Sequence, residues 1–209
     1  MVVCRFLGNA CLELINEKDH IIIDPAFLFQ PKKGIESIFL THHHPDHTDL
    51  EKINEIKKIF SIEGKEIEIY GPECIHEECN LDFILILPGS KIDLNNGQVE
   101  VFENNCWKAK GCVAYLITME GKRILHTADS AEYSDQLKNI MDEIDVCFIA
   151  CFEENFKHYL EFLRKLNSKI VIPYHFTSEK EENAKKLTVF LKENNVNSKF
   201  LAIGEEFEF

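Results

Sequence analysis

Five side chains with metal-binding chemistry crowd into one short stretch, Thr41-His42-His43-His44-Pro45-Asp46-His47, four of them in the pattern His-x-His-x-Asp-His. In an extended segment, side chains two apart point the same way, so His42 and His44 can present two imidazoles to one ion. Pro45 then turns the chain, and Asp46 and His47 can face a second position nearby. Imidazole with carboxylate is a borderline-to-hard donor set that suits zinc, and also iron or manganese. A packed core needs neither pair. The plainer alternative is a solvated histidine-rich turn with adventitious nickel affinity. An expression tag is a poor description of a segment that lies inside the chain.

The flanking residues explain how such a stretch is held. Residues 35–40 are apolar and short, bounded by Gly34 and the histidines, and read as a buried strand. Behind the histidines, Thr48-Asp49-Leu50-Glu51 has the form of a capping box. Leu50, Ile53, Ile56 and Phe60 then repeat at helical spacing and predict a helix with one apolar face. The unit is strand, ligand turn, helix.

The pattern His-x-His-x-Asp-His in this setting resembles the signature of the metallo-β-lactamase superfamily. The resemblance implies an α+β fold, a four-layer αββα sandwich with the metals at one edge. No Gly-Gly pair follows Asp46-His47, so the chain is less similar to the glyoxalase II and lactamase branches. It is closer to the metal-dependent hydrolase branch that includes ascorbate-6-phosphate lactonase-like proteins.

Further motifs fall in the order that this resemblance requires. Residues 2–7 and 11–15 read as paired strands joined through Gly8-Asn9-Ala10. A third strand, 20–23, ends at Asp24-Pro25. In the family an aspartate before proline sits beneath the metal loop, where Asp24 would orient a ligand histidine. It reads equally well as a strand-end turn carboxylate. His20 is expected to be structural or exposed. Residues 66–70 alternate as a half-exposed strand, 83–87 form another strand, and Asn95-Asn96-Gly97 reads as a hairpin turn into 99–102. Cys74, His76 and Cys79 are spaced like metal ligands, but no second pair follows, and a helix or loop is the expectation.

In the second half, residues 112–117 and 122–126 flank Glu120-Gly121 as a hairpin. The second of these runs into Asp129, which matches the family's metal-bridging aspartate. Ala128 replaces the glycine usual before it. A buried central strand over 144–149 and a helix over 156–166 follow, with His158 on the surface or rim. The strand 170–175 delivers His175, which resembles the family's last metal histidine. A helix over 181–194 and a strand pair over 200–202 and 207–209 close a single domain over residues 1–209.

One position breaks the pattern. The family supplies a third histidine to the first metal from the loop after residues 99–102, and this chain reads Glu103-Asn104-Asn105-Cys106-Trp107-Lys108. Cys106 would supply a thiolate, which zinc accepts at about 2.3 Å. Asn105 would supply a weaker amide oxygen. In a third reading the first position is poorly occupied, and Asp46, His47, Asp129 and His175 hold an ion alone. In a fourth, Cys106 is a small apolar residue beside Trp107.

Composition bounds what such a site would do. The 209 residues are 45% hydrophobic, enough for a sizeable core in which sixteen Phe are available. A formal net charge of −13 argues against broad nucleic-acid binding, which needs a basic surface. No apolar run approaches the ~20 residues that span a bilayer. No leader is read at the start, and a cytoplasmic location is expected, where the eight cysteines stay reduced. The resemblance implies two zinc ions, or manganese or iron, and a metal-dependent hydrolase. A zinc-bound hydroxide would attack a small ester, lactone or phosphodiester, with Asp46 orienting it. An anionic small molecule remains an acceptable substrate, because two cations reverse the sign within a pocket. The alternatives are a catalytically weak metal-binding or sensory protein of the same fold and a superfamily nuclease.

Overall fold

The computed structural model describes residues 1–106 and 109–209, with the side chains of Glu77 and Glu78 excepted. The Trp107 neighbourhood read from the sequence therefore lies outside the described residues.

Runs of β-branched and aromatic residues build two seven-stranded sheets. In the first, β1 (Val3–Gly8), β2 (Cys11–Ile15) and β3 (His20–Ile23) form an antiparallel meander. β4 (Ser37–Phe39), β5 (Glu68–Gly71) and β6 (Ile84–Leu85) continue it in parallel from β3. In the second, β7 (Lys91–Leu94), β8 (Gly97–Asn105), β9 (Val113–Met119) and β10 (Lys122–His126) are antiparallel. The short β11 (Glu132–Tyr133) pairs with the end of β8, while β12 (Ile144–Ala150) and β13 (Ser168–Tyr174) run parallel to β10. Finally β14 (Glu206–Glu208) adds to the free edge of β1.

Parallel neighbours need crossovers, and these carry helices onto the outer faces. On the first sheet, α1 (Leu50–Glu55) with the π-helical turn Ile56–Phe60 lays Ile53, Ile56 and Phe60 over Ile22, Ile38 and Ile69, with α2 (Cys74–Glu78) beside it. On the second, α3 (Asp135–Lys138), α4 (Phe156–Leu163) and α5 (Glu181–Glu193) bury Leu137, Tyr159, Leu163, Leu187 and Leu191. Between the sheets Phe6, Leu12 and Phe39 meet Tyr115, Phe148 and Tyr174 in one core. Each such side chain contributes roughly 1.5–3 kcal/mol by leaving water. The layers are helix, sheet, sheet, helix, an αββα sandwich.

Asp19 ties the sheets together away from that core. Asp19, before β3, accepts hydrogen bonds from the backbone N–H of Asn95 (2.7 Å) and Asn96 (3.0 Å) in the β7–β8 turn. Gly97, which ends that turn, lies against β9 so closely that a Cβ would meet the Thr118 carbonyl oxygen at 1.9 Å. Only glycine fits there.

Several local expectations change. The helix after the histidines is capped by Asp49, not Thr48: its side chain accepts from the N–H of Glu51 and Lys52. Thr48 instead donates its hydroxyl to the His42 carbonyl at 2.7 Å, which ties the ligand turn down. Leu50 points outward, because the apolar stripe begins at Ile53. The strand read over 83–87 contracts to β6, whose neighbours offer no pairing beyond two residues. Residues 200–202 are not a strand; the closing strand pairs with β1 instead. His20 is buried, with Nε2 2.8 Å from the fully buried Glu13 carboxylate, which also takes Arg5.

Candidate metal centre

Parallel strands deliver their following loops to one edge of a sheet, and ligands gather there. Asp24 follows β3, the histidine turn follows β4, Asp129 follows β10, Cys151 follows β12 and His175 follows β13. From the antiparallel side, β8 ends at Asn105 and presents Cys106. Three of these positions have left-handed backbone: Asp24 (φ 50°), Ala128 (φ 50°) and His175 (φ 67°). Such conformations are costly for non-glycine residues and persist where surrounding structure imposes them. Ala128 thus adopts the φ for which glycine is suited.

The side chains form two adjoining groups. In the first, His42 Nε2 lies 2.9 Å from His44 Nδ1, and Cys106 Sγ lies 3.4 Å and 3.9 Å from those two nitrogens. In the second, His47 Nε2 is 3.0 Å from His175 Nε2, which is 3.4 Å from Asp46 Oδ2. Asp129 stands between them: its Oδ2 is 3.8 Å from His42 Nε2 and 3.8 Å from His47 Nε2. Its other oxygen is buried without a hydrogen-bond partner.

One carboxylate beneath the site fixes which ring nitrogens are available. Asp24 is fully buried and accepts from the Thr41 N–H at 2.8 Å and the Thr41 hydroxyl at 2.7 Å. His47 Nδ1 lies 2.7 Å from the same Asp24 Oδ2, so Nδ1–H donates downward and Nε2 faces the site. Because the Thr41 proton points to Asp24, its oxygen accepts from His42 Nδ1 at 3.0 Å, and His42 Nε2 is likewise left for the site. Of the two readings of Asp24, the orienting one describes its contacts.

Electrostatics agree with this arrangement. Burial pushes the His42 pKa far down, aided by His47 and His44, so His42 is a neutral imidazole. Burial and the neighbouring His47 push His175 down to about 4. Burial would lower His47 too, but the Asp24 carboxylate overrides it and holds the pKa above the ordinary value. Burial opposes Asp24's charge; the His47 contact outweighs it and keeps the carboxyl below its usual range. Ring nitrogens converge in pairs at 2.9–3.0 Å, His42 Nε2 with His44 Nδ1 and His47 Nε2 with His175 Nε2. Together with the unpartnered Asp129 oxygen, these residues fit divalent cations.

Every residue expected from the sequence lies at this edge: His42, His44, Asp46, His47, Asp129, His175 and Cys106. Asn105 is turned aside, its amide donating to the Glu132 carbonyl at 3.2 Å. Sequence reasoning missed Cys112, whose buried Sγ lies 3.8 Å from His42 Nδ1 and groups with His42, Cys106 and Asp129. The pairing of β8 with β9 places it: the Asn104 N–H bonds the Cys112 carbonyl, which brings Cys112 back beside Cys106. His76 rings against Phe83 at 4.3 Å on α2, away from this edge. Over the site opens a cavity of about 950 Å³, whose walls include His44, Asp46, Cys106, Phe152 and Lys180.

A family profile described as the Beta-lactamase superfamily domain matches residues 4–175. A UPF0173 metal-dependent hydrolase of Natranaerobius thermophilus is 24% identical over 188 residues, covering 83% of each chain. The UPF0173 metal-dependent hydrolase YtkL of Bacillus subtilis is 27% identical over 199 residues, covering 82% of this chain and 84% of its own. The solved metallo-beta-lactamase fold protein YhfI of Bacillus subtilis superposes over the whole of both chains with a TM-score of 0.77 at 14% identity. The chain belongs to the β-lactamase superfamily and has its metallo-β-lactamase fold, with curated relatives in the metal-dependent hydrolase branch.

Proposed function

We propose that the protein is a metal-dependent hydrolase that cleaves a small ester, lactone or phosphodiester, with zinc as the metal. The observation that carries this reading is Asp129, equidistant at 3.8 Å from His42 and His47 with one oxygen buried and unpartnered. A carboxylate so placed would be able to serve two cations. His42, His44 and Cys106 would hold one cation, and Asp46, His47 and His175 the other. Mixed imidazole, thiolate and carboxylate donors favour zinc over manganese.

Cations bound there would make water nucleophilic at neutral pH and draw charge from a carbonyl or phosphoryl oxygen. The chain's own side chains do the rest. Asp46 reaches into the cavity with about half its side chain exposed (48%), placed to orient an attacking water and take its proton. Phe152 supplies an apolar wall, and Lys180 is a cation set among Glu132 and Glu154, so the bound cations would be the main attraction for a substrate carrying an anionic group. A location in the cytoplasm would keep the eight cysteines reduced. Among the described residues, no helix is long and apolar enough to cross a membrane.

The test is turnover of generic aryl esters, lactones and bis-aryl phosphodiesters by metal-stripped and zinc-reconstituted protein. Turnover of one class that appears with zinc and vanishes in Asp46→Asn supports the proposal. Stoichiometric metal retention with no turnover of any class would favour a binding or sensory protein.

A further inference from the structure

The two cysteines at the β8–β9 hairpin are placed for more than ligation. Cys106 and Cys112 flank the connection between the strands, and their sulfurs belong to one group whose ligand atoms all lie within 4.8 Å. They approach the same imidazole from opposite nitrogens, Cys106 at Nε2 (3.4 Å) and Cys112 at Nδ1 (3.8 Å). Their exposure differs. Cys106 is partly accessible and forms part of the cavity wall, whereas Cys112 is buried beneath it at 1% exposure. A solvent-facing sulfur with a protected thiol behind it is the arrangement of an attacked and a resolving cysteine.

We propose that Cys106 and Cys112 form a reversible disulfide under peroxide, and that this bond removes the sulfur donor from the first metal position. The inference rests on the ligand role of Cys106 proposed above. The thiolate is the metal ligand, and a disulfide sulfur carries no negative charge to replace it. Joining the sulfurs also draws Cys106 from the Nε2 side of His42 toward the Nδ1 side, away from His44.

The chemistry balances with hydrogen peroxide as the oxidant. The Cys106 thiolate attacks one peroxide oxygen; an S–O bond forms, the O–O bond breaks, and hydroxide leaves with the electron pair. The Cys112 sulfur then attacks the Cys106 sulfenic acid. The S–S bond forms, the S–O bond breaks, and water departs carrying the Cys112 proton. Two thiols lose two electrons, and the peroxide is reduced to water and hydroxide. A dithiol reductant reverses the bond by exchange. Without the sulfur the first cation would keep only His42, His44 and its share of Asp129, a weaker hold, while Asp46, His47 and His175 with Asp129 would keep the second.

The experiment treats the reduced, zinc-loaded full chain with hydrogen peroxide and reads intact mass, the cross-linked peptide and zinc per chain after desalting. The expected result is a mass about 2 Da lower, a Cys106–Cys112 peptide, and loss of about one zinc equivalent that dithiothreitol with added zinc restores. Cys112→Ser, with Cys112→Ala beside it should the serine perturb folding, should bind zinc when reduced. After peroxide it should carry Cys106 sulfinic acid, with no recovery by dithiothreitol. A disulfide between another pair, a Cys106–Cys112 bond with zinc fully retained, or recovery by reductant in both Cys112 variants overturns the switch and leaves the metal centre standing. Reduced protein that binds no zinc overturns both.

Discussion

Asp24 Oδ2 lies 2.7 Å from His47 Nδ1, and neither side chain has any exposure to solvent. A buried carboxylate and a buried imidazole thus share a proton directly beneath the metal-binding edge, and Thr41 extends the same carboxylate's reach to His42. The pair settles which nitrogen of each histidine faces outward before any ion arrives. It is a positioning device.

Replacing that carboxylate tests the role. Asp24→Asn keeps the shape but no longer enforces Nδ1–H on His47, and metal affinity should fall about 10–100-fold. Competition against a chromophoric chelator measures this. Asp24→Ala leaves His47 and the Thr41 hydroxyl buried without their acceptor, and folding stability should drop by about 3–5 kcal/mol. Denaturant unfolding of the metal-free protein reads it.

Ala128 carries φ 50° just before Asp129, where glycine would be relaxed. Left-handed backbone costs alanine about 1–2 kcal/mol, and the extra freedom of an unfolded glycine offsets much of that gain. Ala128→Gly should therefore stay within about 1 kcal/mol of the parent. Ala128→Val, β-branched and fully buried, should lose more than about 2 kcal/mol. Thermal unfolding of the two variants decides whether the strain is real.

Gly97 offers a control far from the ligands. Its alanine variant would drive a methyl into the Thr118 carbonyl. Unfolding in urea should show a loss of about 2–3 kcal/mol from a strained β8–β9 ladder. Metal content of the folded fraction should not change. A fall in metal content would mean that the hairpin transmits strain to Cys106.

Cys106→His places an imidazole where the sulfur now faces His42 and His44. The variant should keep its metal and lose sulfur-to-metal charge transfer. With cobalt(II) substituted for zinc, the near-ultraviolet band of the parent should disappear while the visible d–d bands persist. Retention of the near-ultraviolet band would assign the thiolate to Cys112 instead.

How far the site could be read from the chain followed how local each relationship was. His42, His44, Asp46 and His47 share one turn, so spacing alone brought them together. Asp129 and His175 were recognisable only through the order of motifs, because strand-end residues are ordinarily structural. Asp24 stayed divided between two roles, since its partners Thr41 and His47 lie in the next crossover. Cys112 was invisible because its approach to Cys106 depends on hairpin register, which the sequence leaves open there. The cap moved from Thr48 to Asp49 for a related reason: a tertiary contact to the His42 carbonyl claimed the threonine hydroxyl. The layers themselves were legible, because apolar runs ended at strand–loop boundaries and amphipathic helices followed. Short edge elements such as β6 and β14 depend on what happens to lie alongside them.

The ligand geometry implies a pair of metal positions, the first completed by sulfur. Elemental analysis of metal per chain, on untagged protein reconstituted with zinc, addresses it directly in the parent and Cys106→Ala. About two equivalents are expected in the parent and about one in the variant. Equal content in both would remove Cys106 from the centre, and no metal in either would contradict the centre altogether.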